Sequence, residues 1–248
     1  FDPSDRSLLQ KVNIEGTANV MNVALDLGIK KAGFVSSIAA LDTTFGNELI
    51  NETAFFQVNK IASTYSLSKY FSEQEVWRIA AEGLDVIIVN PSVILGPGDW
   101  KKGSSQIFQK IFKGLNFYTT GSTGYVDVID VSDALIQLLF SDIKNQRFIL
   151  NGSNLTYRDC FNKIADAFGK PRATIRVTPF LKEFVWRIEA IKSWLTGKKP
   201  LITKETANNA MIKKSYDNTK IKEAIGFQFT TIDDTILKYA NWFIETQE

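Results

Sequence analysis

The sequence predicts an α/β fold: a parallel sheet with helices on both faces, plus a smaller helix-rich lobe. Three observations carry this. Two short apolar runs, AGFV at 32–35 and LDVIIV at 84–89, each follow a segment of helical period. Strands alternating with helices argue for parallel pairing. Polar turn-formers follow both runs, Ser36-Ser37 and Asn90-Pro91-Ser92, so the same end of each strand opens into a loop, where open α/β sheets bind ligands. Beyond residue 105, amphipathic helical segments dominate.

Taken in order, Ser4 or Asp5 caps a first helix whose apolar positions include Leu8, Leu9, Val12, Val20, Val23, Ala24 and Leu27, with Gly28 as its stop. AGFVSS is a buried strand ending at Ser36 and Ser37. The polar stretch IAALDTTFGNELINETAFFQVN reads as a long loop, and long ordered loops are usually functional. A helix over roughly 60–82 is closed by Gly83 and followed by the strand LDVIIVN. PSVILGPGDWKKGSS reads as a turn-rich loop. IFQKIFKGL is a short helix, and GYVDVIDVSDALIQLLF a strand running into a helix capped near Asp130. RFILNG and ATIRVTP read as strands and YRDCFNKIADAF as a helix. LKEFVWRIEAIKSWLTG, TKETANNAMIK, NTKIKEAIG and TIDDTILKYANWFIETQ read as helices.

Composition narrows the chemistry. With 248 residues, 44% hydrophobic and 23% charged, the chain is long enough to bury a core without disulfides or metal. Its single cysteine, Cys160, leaves no internal disulfide and no metal-binding spacing. There is no histidine, so histidine triads and histidine-ligated zinc are excluded and no metal site is expected. Any proton donor must be Tyr, Lys, Asp or Glu. A net charge of +2 with mixed signs gives no nucleic-acid footprint. No apolar run approaches a membrane span, so no membrane partner is expected, and the localisation expected is cytoplasmic.

TYSLSKYFSEQEVWRIAAEG places Tyr65 and Lys69 four residues apart, on one helix face. A nearby ammonium favours phenolate, so Lys69 is expected to lower the Tyr65 pKa. Such a phenol can give a proton to a developing alkoxide. A strand-end hydroxyl, Ser37, can bond the same oxygen. This suits hydride transfer, in which a cofactor carries the hydride and the protein manages the oxygen. Alone, the pair is a weak signal, because such pairs are common on solvated helix faces. The order is more telling: strand–SS, loop, YxxxK helix, strand–NPS, then GPG.

In that order, VNIEGTANVMNVALDLGIKKAGFVSSIAAL, YSLSK, LDVIIVNPSVILGPGDW and YVDVIDVSDAL resemble the extended short-chain dehydrogenase/reductases of the NAD-dependent epimerase/dehydratase superfamily. The resemblance covers nearly the whole chain and is strongest to the dihydroflavonol-4-reductase-like branch. It implies a Rossmann-type fold, NADP or NAD as cofactor, and a Ser-Tyr-Lys site. By position, Ser37 polarises the carbonyl, Tyr65 is the acid/base, and Lys69 tunes the tyrosine and binds the nicotinamide ribose. Ser36, Pro91, Ser92 and Val93 would lie against the cofactor, and Asn13 near it. Residues 1–105 would be the second half of the dinucleotide domain. Residues 106–248 would hold its last elements and a substrate lobe, with Phe117, Tyr118, Phe180, Phe184 and Trp186 as pocket candidates or, more simply, core.

The implied activity is reduction of a ketone or aldehyde of a small organic substrate. A nucleotide-sugar epimerase or dehydratase with tightly held NAD is the alternative. The arginines such enzymes tend to carry are replaced by Asn90, and by Thr123 and Gly124, which argues against it. A non-catalytic dinucleotide sensor is a third reading. The family's YxxxK helix often pairs two copies, which leaves room for a homodimer. The family's phosphate-binding glycine loop is not found; LGPGDWK and GSTG lie in the wrong context. The loop is expected before Phe1, in an intact protein roughly 80 residues longer.

Overall fold

The computed structural model describes residues 6–41, 49–58, 62–178, 183 and 208–246. A first helix, α1, runs Arg6–Leu9, passes through a π-helical stretch Gln10–Glu15 and continues over Gly16–Asp26. Strand β1 is Lys31–Val35, β2 Leu49–Ile50, helix α2 Thr64–Ala81, β3 Asp85–Pro91 and β4 Val93–Leu95. Helix α3 is Gln106–Phe112, β5 Phe117–Tyr118, β6 Ser122–Asp127, α4 Val128–Leu139, β7 Gln146–Leu150 and β8 Ser153–Thr156. Helix α5 is Tyr157–Ala167, β9 Ile175–Arg176, β10 Ser215–Tyr216, α6 Thr219–Ile225 and α7 Ile232–Glu245.

The chain forms two compact units that interleave in sequence. One holds Phe1–Ser92, Val131–Leu150 and Asp217–Gln228, the other Val93–Asp130, Asn151–Tyr216 and Phe229–Glu248. The sequence reading drew one boundary instead, near residue 105. A parallel sheet needs a crossover between neighbouring strands, and that crossover carries the chain away and back.

The first unit is built on a three-stranded parallel sheet, ordered β1-β3-β7. β1 pairs with β3 from Lys31↔Asp85 to Val35↔Val89, and β3 with β7 from Ile87↔Gln146 to Pro91↔Leu150. β3 is the middle strand, so Val86, Ile87, Ile88 and Val89 are fully buried, which explains its unbroken apolar run. Met21 of α1 and Val76 and Ile79 of α2 pack on Val86 and Ile88. α4 approaches β1 closely at Gly33, where a Cβ would lie 2.9 Å from Leu135 Cδ1. The π-helical stretch of α1 has a local cause. Thr17 Oγ1 and Ser72 Oγ both donate to the Asn13 carbonyl, at 2.5 and 2.7 Å, and such insertions disturb the helical ladder.

The second unit carries β4-β6-β8, with β4 parallel to β6 and β8 antiparallel to it. Phe108, Tyr125, Ile164, Tyr239 and Phe243 form its core. Trp100, Phe112 and Phe168 add aromatic contacts around Phe243, with centroids 5.0–5.4 Å apart. Thr156 and Thr231 cap α5 and α7 by accepting the amides of Asp159 and Asp234.

Most expected elements are present, with shifted bounds. The stretch read as a turn-rich loop holds β4, an apolar triplet that pairs with β6. β8 is polar, S-N-L-T, and owes its strand form to pairing with β6 rather than to its own pattern. α4 starts earlier than expected, and its cap is Asp127, whose Oδ1 accepts the Ile129 amide at 2.7 Å. LKEFVWRIEAIKSWLTG apart from Glu183, and the first five residues of TKETANNAMIK, lie outside the described residues, as do Phe180, Phe184 and Trp186.

Candidate active site

The carboxyl ends of β1 and β3 carry Ser36, Ser37 and Pro91, and the first turns of α2 carry Tyr65 and Lys69. Ser63 caps α2 by accepting the Ser66 amide at 2.8 Å, which sets Tyr65 in the opening turn. Ser37 is itself a cap: its Oγ accepts the Ala39 amide at 3.1 Å, starting a short turn over Ile38–Ala40. That leaves the Ser37 proton for another acceptor, and Ser37 lies near enough to the Tyr65 phenol to pull its pKa down. Lys69, one turn on, donates to the Val35 carbonyl at 2.9 Å and lies 4.9 Å from the Phe34 ring centroid.

Burial and Ser37, rather than Lys69, set the direction of the Tyr65 pKa. The Tyr65 pKa is raised above the ordinary tyrosine value by desolvation, with Ser37 pulling partly the other way. Lys69 is lowered by its own burial, opposed by the charge of Glu73. The expectation of an acidified phenol is therefore corrected. A low-dielectric surround disfavours phenolate more than the neighbours favour it, so Tyr65 is a neutral phenol at physiological pH.

The other predicted residues occupy defined places. Ser36 is buried and its Oγ donates to Glu73 Oε2 at 2.8 Å, so its hydroxyl faces α2. Asn13 Nδ2 donates to Ser68 Oγ at 3.0 Å, and Ser68 Oγ donates to the Tyr65 carbonyl, which ties α1 to the turn carrying Tyr65. Pro91 ends β3 opposite Leu150, and the Ser92 amide donates to the Leu150 carbonyl. Val93 opens the second unit, opposite Tyr125. Of the aromatic candidates within the description, Phe117 is exposed and Tyr118 lies 4.8 Å under the Arg158 guanidinium.

Two atoms at the end of β3 fit a cofactor amide. Asn90 Oδ1 and Ser92 Oγ are buried and have no hydrogen-bond partner among the described residues. A buried polar atom left so costs about 1–3 kcal/mol, which a bound carboxamide would recover. The glycine pairs elsewhere have packing roles. A Cβ on Gly96 would lie 2.5 Å from Val128 Cγ1, and one on Gly121 would lie 2.5 Å from the Ala210 carbonyl oxygen. Among the described residues there is no cluster of His, Cys, Asp or Glu that could hold a metal.

The sequence reading missed Glu73 and Arg147. Glu73 lies one turn beyond Lys69, and Arg147 is the one charge in the apolar run RFILNG. A charge inside a buried pattern is the signal that could have found both.

Residues 4–143 match the model of an NAD-binding family described as Male sterility protein. The chain belongs to that family, within the extended short-chain dehydrogenase/reductases, a group of NAD(P)-dependent oxidoreductases. It is 26% identical to a putative dihydroflavonol 4-reductase of Synechocystis over 96% of this chain and 71% of that one. It is 31% identical to tetraketide alpha-pyrone reductase 2 of Arabidopsis thaliana over 56% of this chain and 47% of the relative. It is 28% identical to cinnamoyl-CoA reductase 1 of Petunia hybrida over 62% and 49%. The chain thus spans 71% of the cyanobacterial relative and about half of the two plant ones. The crystal structure of gox2253 superposes with a TM-score of 0.80 at 28% identity, covering 99% of this chain and 75% of that one. A Pseudomonas aeruginosa nucleoside-diphosphate-sugar epimerase at 22% identity, TM-score 0.77, shares the Rossmann-type fold.

Proposed function

We propose that the protein is an NAD(P)-dependent reductase of a ketone or aldehyde in a small organic molecule, with Ser37, Tyr65 and Lys69 as its catalytic residues. The observation that carries this is the placement of all three at one sheet end: Lys69 donates to the Val35 carbonyl at 2.9 Å, Ser37 follows two residues on, and the Ser63 cap sets Tyr65 in the opening turn of α2, its phenol kept neutral by burial. Similarity to proteins named as reductases supports the direction of reaction.

Pro91 and Ser92 would hold the nicotinamide end of the cofactor, with Asn90 Oδ1 and Ser92 Oγ as acceptors for its amide. When bound, that group supplies the hydride. Ser37 and Tyr65 bind the substrate oxygen and orient the carbonyl. As the carbonyl carbon gains the hydride, its π pair moves to oxygen, and Tyr65 donates its hydroxyl proton to that oxygen. The product is an alcohol and the phenol is left as phenolate, which the Lys69 ammonium stabilises until a solvent proton restores it. A neutral phenol is the form that reduction requires.

The side chain at the position where sugar-nucleotide enzymes tend to carry arginine supports a reductase over an epimerase. Asn90 is buried and donates to the Ser37 carbonyl and to Glu73, both at 3.0 Å, so it has no diphosphate-binding fork to offer. A homodimer through α2 belongs to the same reading; Phe71, 41% exposed on that helix, is where a charge substitution would disrupt it, read by sedimentation. Among the described residues no helix is long and apolar enough to cross a membrane.

The test is consumption of added NADPH or NADH by the purified protein against a panel of ketones and aldehydes. Net consumption supports the reductase. Copurifying NAD with no net consumption supports the epimerase.

A further inference from the structure

Glu73 is 1% exposed, on the same face of α2 as Lys69, and everything around it leads back to the site. Its Oε2 accepts from Ser36 Oγ at 2.8 Å and from Asn90 Nδ2 at 3.0 Å. Asn90 Nδ2 also donates to the Ser37 carbonyl. Its Oε1 accepts from Arg147 Nη1 at 3.0 Å and, more weakly, from Trp77 Nε1 at 3.4 Å. Ser36 lies between Val35, whose carbonyl holds Lys69, and Ser37, whose carbonyl accepts from Asn90. One buried carboxylate thus grips the ends of both strands on which the reacting groups rest. Arg147 extends the grip outward. It donates to the carbonyls of Glu52 and Ala54 at 2.6–2.9 Å, and the Glu52 carboxylate accepts the Ile149 amide.

We infer that Glu73 is a positioning residue of this reaction: with Arg147 it clamps the carboxyl ends of β1 and β3, fixes the anchor point of Lys69 and the backbone at Ser37, and sets a fixed negative charge behind Lys69. The inference rests on the reductase reading above. The charge facing Lys69 from its own helix is Glu73, which favours the ammonium. From β7 comes Arg147, flanked by Glu52 and by Lys220, whose ammonium donates to the Arg147 carbonyl. β1 and β3 contribute uncharged groups here, Ser36 and Asn90.

The experiment compares Glu73→Gln, Arg147→Met, the double variant and Tyr65→Phe in the intact protein, measuring kcat, KM and the pH dependence of kcat. Glu73→Gln should lower kcat by about 10²-fold, the scale of a small misplacement of reacting groups, with KM changed less than about twofold. Removing an anion lowers the pKa of every group that feels it, and removing a cation raises it. The titrating limb should therefore move down by about one pH unit in Glu73→Gln and up in Arg147→Met, and return in the double variant. A merely structural role would lower stability in both and shift neither limb in opposite senses. Wild-type kcat in Glu73→Gln, or shifts of the same sign in both single variants, overturns the inference. Should Glu73→Gln not fold, Ser36→Ala removes one donor and leaves the ion pair; about a tenfold fall in kcat at constant KM is expected, and an unchanged kcat overturns it. Tyr65→Phe separates the two claims. If that variant stays active, the reductase reading itself fails; if it is dead while Glu73→Gln behaves as wild type, only the positioning role fails.

Discussion

Two strand ends in this molecule look alike in sequence and do different work. At the end of β3, polar residues leave hydrogen-bonding capacity unused: Asn90 Oδ1 and Ser92 Oγ have no partner among the described residues. At the end of β6, in YVDVIDVSDA, the acids are saturated. Asp127 accepts from Tyr239, from Thr235 and from the Ile129 amide at 2.7–3.0 Å, and Asp130 accepts from the amide and hydroxyl of Thr230 at 2.8 Å. On the proposed reading the first end is the one that binds the cofactor, while the acids of the second hold α4 and α7 to the strand. A buried polar group whose partners are all internal is architecture, whatever its place at a strand end.

The comparison breaks most sharply at Tyr65. Tyr65→Phe should lower kcat by about 10³-fold, the scale of general acid catalysis, with an unchanged unfolding midpoint. Ser37→Ala should cost about 10²-fold in kcat. Its sign in pH is also fixed: Ser37 lowers the Tyr65 pKa, so losing its hydroxyl moves the alkaline limb of the reduction, where phenol becomes phenolate, to higher pH. Asp127→Ala tests the other end. It strands Tyr239, Thr235 and the Ile129 amide, and should cost about 3 kcal/mol in urea unfolding with kcat per folded molecule unchanged. A large kcat loss there would erase the distinction. The smallest effect belongs to Ser92→Ala, which should raise the KM for cofactor about threefold.

Much of this was legible in the sequence. The order of β1, α2 and β3 followed from apolar runs and a helical period, because a central parallel strand must be apolar on both faces. That Ser37 ends β1 and Tyr65 and Lys69 share one helix was also legible, from the strand-end serines and the i, i+4 spacing. Other features were not legible. β8 exists through its partner strand, and local composition does not encode a partner. The direction of the Tyr65 pKa shift was not legible, because spacing reveals a neighbouring charge but not the depth of burial, and here burial is the larger effect. Glu73 and Arg147 were not singled out, although a charge amid buried positions was the clue. Only the packing of α2 and β7 on the sheet interior makes them a buried pair.

The most direct test is titration of Tyr65 by carbon-13 NMR of ring-labelled tyrosine, assigned with Tyr65→Phe, in the wild type and in Ser37→Ala. A resonance that stays in the phenol form past the ordinary tyrosine range, and further still in Ser37→Ala, is the predicted result. A phenolate appearing near neutral pH in the wild type would contradict the account of Tyr65 as a burial-neutralised proton donor.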